Sequence, residues 1–269
     1  MKTNPSDSKG TALVTGASTG IGAIYADRLA KRGYDLILVA RNQKKLNELA
    51  ERLTKETGVK VEALAADLGA KADLARVEQR LREDNKITML VNNAGTSAKG
   101  SLVGGDLDEH EAMIQLNITA LTRLTGAVAP AFVARGGGTI INVGSVLGLA
   151  PEISNAVYGG SKAFVLALSQ ALDHEIGPKG VRIQAVLPGA TRTEIWEKAG
   201  KDITKFPPEM IMEADEMVDA ALAGLDLGER VTIPSLPDVA QWDSYNAARL
   251  AFGPNLSRNK AADRYKKSA

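Results

Sequence analysis

Tyr158 and Lys162 stand four residues apart in Tyr158-Gly-Gly-Ser-Lys162, a spacing that sets both on one face of a helix, about one turn from each other. A free phenol titrates near ~10 and a free ammonium near ~10.4, so neither alone is a useful acid or base at neutral pH. An ammonium held beside the ring favours phenolate, which predicts a lowered tyrosine pKa and a phenol competent to donate and accept protons. Ser145, in the preceding loop, brings a hydroxyl that could hold a carbonyl oxygen beside that phenol. Tyr-x-x-x-Lys also occurs as an ordinary surface pair on helices, so the elements around it decide its meaning.

The first of those elements is Thr11-Ala-Leu-Val-Thr15, an apolar run of strand type that ends in Gly16-Ala-Ser18-Thr19-Gly20-Ile21-Gly22. Helical spacing follows from Ala23 to Arg32 and stops at Gly33. Strand, glycine turn and helix together suit a nucleotide, because glycine lets the backbone approach and the helix N-terminus offers N–H groups to a pyrophosphate. The same pattern also describes a plain strand–helix turn. Asp35–Ala40 reads as a second buried strand, and the residue after it is Arg41. An acid at this place would bind a ribose 2′-hydroxyl, whereas a guanidinium clamps a 2′-phosphate, so NADP(H) is favoured over NAD(H). Asn42 is placed to cap a helix running to Thr57, with Gly58 as its stop.

Val59–Ala65 is the third strand, followed by Asp67 and Leu68; Asp67 either caps the next helix, over Ala72–Glu83, or accepts a hydrogen bond from an adenine amine. Thr88–Val91 leads to Asn92-Asn93-Ala94-Gly95, where two amides can satisfy strand-end backbone groups and the small residues leave room for a flat ring or ribose. A long helix is expected over Leu107–Arg135. Its mid-helix Asn117 is disfavoured by propensity and is either a satisfied core amide or a kink that holds a relay water. Thr139–Val143 delivers Ser145 at its carboxyl end, where α/β sheets place ligands. Val181–Leu187 closes on Pro188-Gly189-Ala-Thr191. His110 and His174 lie among charged helical residues and read as surface residues.

The ordered set Thr15-Gly-x-x-x-Gly-x-Gly22, Asp67, Asn92-Asn-Ala-Gly95, Asn117, Ser145, Tyr158-x-x-x-Lys162 and Pro188-Gly-x-Thr191 resembles the short-chain dehydrogenase/reductase family over residues 11–195. The resemblance implies Tyr158 as acid/base, with Lys162 lowering its pKa and holding the nicotinamide ribose. It implies Ser145 orienting the carbonyl and Asn117 supporting the relay water. Pro188, Gly189 and Thr191 would meet the carboxamide, Asp67 and Leu68 the adenine, and Asn92, Asn93, Ala94 and Gly95 the length of the cofactor. Hydride then passes between nicotinamide and a substrate carbon while Tyr158 moves the oxygen's proton. Because cellular NADPH is kept reduced, carbonyl reduction is the expected direction. A complete catalytic set speaks against the alternative, an NADP(H)-binding redox sensor or scaffold. A methyltransferase on a similar sheet would leave Arg41 and the Tyr–Lys pair without a task.

The bulk properties agree. The chain has 269 residues, 44% of them hydrophobic, enough for one large α/β domain. Lys+Arg 33 against Asp+Glu 32 give no reason to expect nucleic acid or an anionic membrane. The absence of cysteine excludes disulfides and thiolate zinc sites, and no metal is expected. Met1–Gly10 is polar, unlike a signal peptide, and no apolar run approaches the ~20 residues of a membrane span. A cytoplasmic setting is expected, and the family resemblance implies a homodimer or homotetramer with an interface formed by the 107–135 and 157–176 helices.

The expected architecture is a doubly wound Rossmann fold: a seven-stranded, mainly parallel sheet of order 3-2-1-4-5-6-7 with helices on both faces. Residues 1–10 form a tail and 11–269 one domain, including a substrate lid at 193–213 and a C-terminal extension at 235–269. In the lid, Ile195, Trp196, Phe206, Pro207, Pro208, Met210 and Met212 suggest an apolar carbonyl substrate, or simply pack the lid on the body. Val146, Leu147, Leu149 and Ile153 are placed to form the opposite wall. Two helices are expected in the extension, near Asp238–Phe252 and Leu256–Lys267.

Overall fold

The computed structural model describes residues 9–153, 155–198, 200 and 202–266, so most of the expected N-terminal tail lies outside it. The chain divides into two compact units, Met1–Pro234 and Ser235–Ala269.

In the first unit, β1 (Thr11–Thr15), β2 (Asp35–Ala40), β3 (Val61–Ala65), β4 (Ile87–Asn92), β5 (Gly138–Val143), β6 (Val181–Val186) and β7 (Val231–Thr232) form one sheet. Its order, β3-β2-β1-β4-β5-β6-β7, is the expected one, and every pairing is parallel. Parallel neighbours need crossovers, here α1 (Gly20–Lys31), α2 (Gln43–Thr57), α3 (Lys71–Glu83), α4 (Leu107–Ile114) with α5 (Leu121–Ala134), α6 (Ala156–Ile176), and α7 (Ile195–Lys198) with α8 (Ala214–Leu227). Winding outward in both directions from β1 and β4 puts helices on both faces and leaves a crevice at the strands' carboxyl ends.

Strand alternation supplies both cores. Ala12, Val14, Leu36 and Leu38 point to one face, against Tyr25 and Leu29 of α1, Leu46 and Leu53 of α2, and Met217 and Leu222 of α8. Leu13, Ile37, Leu90 and Ile140 point to the other, against Leu74 and Leu81 of α3, Leu124 and Phe132 of α5, and Ile176 of α6.

The helix ends follow local chemistry. Asn42 caps α2 by accepting the Lys45 N–H at 3.0 Å, and Gly58 ends it at φ +80°. The helix α1 starts at Gly20 rather than Ala23, because the glycine turn itself enters the helix. The segment expected as one helix over Leu107–Arg135 is interrupted by a π-helical turn at Gln115–Ala120, centred on Asn117. By length and composition the 28 residues Leu107–Ala134 could cross a membrane, yet their buried side chains Leu124, Val128 and Phe132 complete one core of the sheet.

His110 corrects a sequence expectation. It is 3% exposed rather than on the surface, because it shares the inward face of α4 with buried Met113 while its acidic neighbours point outward. His174 is exposed as expected.

The lid is short helical pieces: α7 and single turns at Ile203–Lys205 and Pro208–Met210. Its two ends meet at a strand-like neck, where Met212 N–H donates to Ala190 at 2.9 Å and Arg192 N–H to Met212 at 3.0 Å.

In the second unit, α9 (Val239–Leu250) is capped by Asp238. None of its side chains is buried. The second helix expected over Leu256–Lys267 does not form among the described residues, which hold only single turns at Gly253–Asn255 and Asp263–Tyr265. Ser257–Lys260 and Asp263–Arg264 are polar and leave no apolar face to fold against.

Candidate active site

A cleft of about 730 Å³ opens at the carboxyl ends of β1, β2, β4, β5 and β6. Most residues expected from sequence to touch cofactor or substrate line it; Gly22, Asn92 and Asn117 are buried instead, and Leu149, Ile153, Phe206, Pro207, Pro208, Met210 and Met212 are not part of its lining.

One end of the cleft is the glycine turn. Gly16 (φ +67°) and Gly20 (φ +54°) hold conformations that side chains rarely adopt. At Gly22 a Cβ would come within 2.3 Å of the Gly16 carbonyl oxygen, so only glycine packs there. No side chain caps α1, which leaves first-turn N–H groups for an anion at the cleft wall. Asn93 locks the turn, its Nδ2 donating to the Thr15 carbonyl at 2.9 Å, while Thr15 Oγ1 accepts the N–H groups of Asn93 and Ala94 at 3.0 Å each. Beyond the turn stands Arg41, at the end of β2. Asp67 Oδ1 accepts the Gly69 N–H at 2.9 Å, so it caps its own loop while lining the cleft. The turn, the uncapped helix and the cation fit a dinucleotide carrying a further phosphate.

The other end is catalytic in character. Asn155 caps α6 by accepting the N–H groups of Val157 and Tyr158 at 2.9 and 3.2 Å, which sets the rotation of the helix bearing Tyr158 and Lys162. The Lys162 ammonium lies 5.6 Å from the centre of the Tyr158 ring and donates to the Val143 carbonyl at 3.1 Å. Ser145 Oγ accepts the Leu147 N–H at 3.2 Å beside the phenol.

The proton affinities depart from the sequence expectation. Burial pushes the Tyr158 phenol up to about 12, with a hydrogen bond from Ser145 pulling the other way. Burial also brings the Lys162 ammonium down to about 8. An ammonium beside a phenol should lower it, but here desolvation is the largest influence on both groups. At neutral pH Tyr158 is therefore a protonated phenol.

Asn117 combines parts of both readings: its amide is hydrogen-bonded in the core, and it sits in the π-helical turn that interrupts its helix. It is 2% exposed; Oδ1 accepts the Thr96 N–H at 2.9 Å, and Nδ2 donates to the Thr96 carbonyl at 2.9 Å and to Ser161 Oγ at 3.2 Å. Ser161 in turn donates to the Tyr158 carbonyl at 2.8 Å. This clamp joins the segment after β4 to α6, directly under Gly95, where a Cβ would stand 3.6 Å from Lys162 Nζ.

Of the substrate-side residues, Leu147, Ile195 and Trp196 line the cleft, whereas Leu149 and Ile153 do not. Trp196 donates its indole N–H to the Thr191 carbonyl at 2.8 Å and packs on Phe206, ring centres 5.0 Å apart. Sequence reasoning missed Lys45, Thr193 and Glu194, which also line the cleft. The signal for Lys45 was available: it falls on the first turn of α2, one turn after Arg41.

A family model described as short chain dehydrogenase matches residues 10–204. A short-chain dehydrogenase from Sphingobium yanoikuyae, solved in complex with NADPH, is 54% identical and superposes with a TM-score of 0.93, covering 96% of this chain and 100% of its own. A bulky-bulky ketone specific alcohol dehydrogenase from Comamonas testosteroni is 46% identical, with a TM-score of 0.88 and coverage of 95% and 98%. An uncharacterised oxidoreductase of Staphylococcus epidermidis is 32% identical over 223 residues, 82% of this chain and 93% of the relative.

Proposed function

Because the chain belongs to the short-chain dehydrogenase family, we propose that it is an NADP(H)-dependent oxidoreductase that reduces a ketone or aldehyde with apolar substituents to the alcohol. The observation that carries this reading is the pairing of half-buried Tyr158 with buried Lys162 and Ser145, opening into the same cleft as the glycine turn and Arg41. When bound, the nicotinamide supplies hydride to the carbonyl carbon. The chain's residues do the rest. Ser145 Oγ and the Tyr158 hydroxyl hold the carbonyl oxygen, and Tyr158 gives that oxygen its proton as the C–H bond forms. A phenol kept protonated by burial suits reduction, which begins from the acid form. Lys162, buried 5.6 Å from the ring, stabilises the phenolate left behind and returns a proton to it. The Asn117–Ser161 clamp holds α6 in place.

Arg41 supports the choice of NADP(H), as does the NADPH held by the Sphingobium relative. The apolar substrate is supported by Leu147, Ile195 and Trp196 around the mouth and by the bulky ketones of the Comamonas relative. A cytoplasmic homodimer or homotetramer, as the family resemblance implies, is part of the same proposal. Tyr158→Phe tests it. The variant should bind NADPH as the parent does and lose turnover of apolar ketones by about 10²-fold or more. Equal turnover by both would overturn the assignment, and parent protein that binds NADPH without turning over any ketone would favour a redox sensor.

A further inference from the structure

Among the described residues two acids line the cleft, Asp67 and Glu194. Glu194 belongs to the lid, yet its side chain reaches back to the cofactor end. Oε2 accepts the Thr19 hydroxyl at 3.2 Å, on the glycine turn. Oε1 pairs with Lys45 Nζ at 3.6 Å, on the first turn of α2. A carboxylate facing the turn that must receive phosphates opposes their binding, so it calls for an explanation.

The first turn of α2 supplies a second observation. It contains Lys44 and Lys45 and no acid, the wrong sign for the positive end of a helix macrodipole. Lys44 is directed along its own helix to Glu48, 4.0 Å away. Among the described residues Arg41 has no carboxylate partner, and the one carboxylate on Lys45 is that of Glu194. Two cations one turn apart at a helix N-terminus, inside a cleft, form a socket for a dianionic phosphate.

We propose that Lys45 is a second ligand for the cofactor's 2′-phosphate, and that Glu194 holds it in reserve until that phosphate displaces the carboxylate. The proposal rests on the NADP(H) reading of the site. Its consequence is that the lid senses which cofactor has arrived. The 2′-phosphate takes Lys45 and detaches Glu194 from α2, whereas a cofactor without that group leaves the lid tied to the cleft.

Titration of the protein with NADPH and NADH, followed by cofactor fluorescence, tests this in Lys45→Met, Glu194→Gln and the double variant. Both side chains are about half exposed, so the variants should melt like the parent. Lys45→Met should weaken NADPH about tenfold and NADH less than twofold. Glu194→Gln should tighten NADPH about three- to tenfold at low salt, an effect that shrinks at high salt and in the Lys45→Met background. Equal weakening of both cofactors by Lys45→Met would overturn the 2′-phosphate assignment. Unchanged or weaker NADPH binding in Glu194→Gln would overturn the exchange. If the parent binds neither cofactor, the NADP(H) reading itself fails; if it binds NADPH and both variants match it, only the present inference fails.

Discussion

Lys162→Met should give a protein that is more stable at neutral pH and almost inactive. Lys162 is 6% exposed, and burial brings its ammonium to about 8 from 10.5. The fold therefore binds this proton less tightly than the unfolded chain, and protonation pulls toward unfolding. That penalty is complete below about pH 8, fades as pH rises from 8 to 10.5, and is absent above it. At about 1.4 kcal/mol for each pH unit, it amounts to about 3 kcal/mol at pH 7. Methionine keeps an unbranched stem of similar length but gives up the hydrogen bond to Val143, which returns about 1 kcal/mol. The net gain of about 2 kcal/mol should raise the midpoint of thermal unfolding by about 3–4 °C, taking ~2.1 cal/mol/K per residue. Unfolding of parent and variant at the same scan rate, from pH 6.5 to 10, provides the assay. Above that range Tyr158 intervenes with the opposite sign. Its phenol is raised by burial to about 12, so the stability it contributes is full below pH 10 and lost between 10 and 12. The variant's advantage should shrink steadily from pH 8 upward while ketone turnover stays at least about 10²-fold below the parent's. A variant no more stable at pH 7, or an advantage independent of pH, would refute the claim that the fold holds this lysine at its own expense.

Two further outcomes can be checked by the same methods. Tyr25 is fully buried and its hydroxyl has no hydrogen-bond partner among the described residues, so Tyr25→Phe should stabilise the protein by about 1 kcal/mol in denaturant unfolding and leave turnover unchanged. Gly22→Ala forces a methyl to within 2.3 Å of the Gly16 carbonyl oxygen; it should cost about 1–3 kcal/mol and weaken NADPH binding at least about tenfold in the cofactor titration.

The order of the sheet was legible because each inner strand is a short apolar run closed by glycine or a polar turn, and a two-residue period feeds two cores at once. Much of the cleft's lining was legible because it falls at the carboxyl ends of strands, and Lys162 because it stands one helical turn from Tyr158. Properties that arise only when distant segments meet were hidden. Spacing placed Lys162 beside Tyr158 correctly, yet the direction of the phenol's pKa depends on how much water the folded cleft removes, and no local pattern records that. His110 was misjudged by its charged neighbours, although its three-residue offset from apolar Met113 already marked the inner face of α4. Asn117 announced an irregularity in its helix but not the partner of its amide, since Thr96 and Ser161 reach it from other elements. Glu194 and Lys45 are further apart still in sequence, and only the return of the lid brings them together.

The narrow neck at Ala190–Met212 has a consequence for how this molecule can diversify. Two backbone hydrogen bonds close the lid into a loop whose ends stay in place whatever lies between them. Lengthening such a loop costs only slowly growing closure entropy, about 0.6 kcal/mol for each doubling. The segment from 193 to 211 is thus an exchangeable cassette. Its length and residues can be rewritten by insertion, deletion or transplantation from a relative while the sheet, Tyr158 and the glycine turn keep their positions. New substrate preferences are then to be sought in libraries confined to that cassette, with the neck residues left alone.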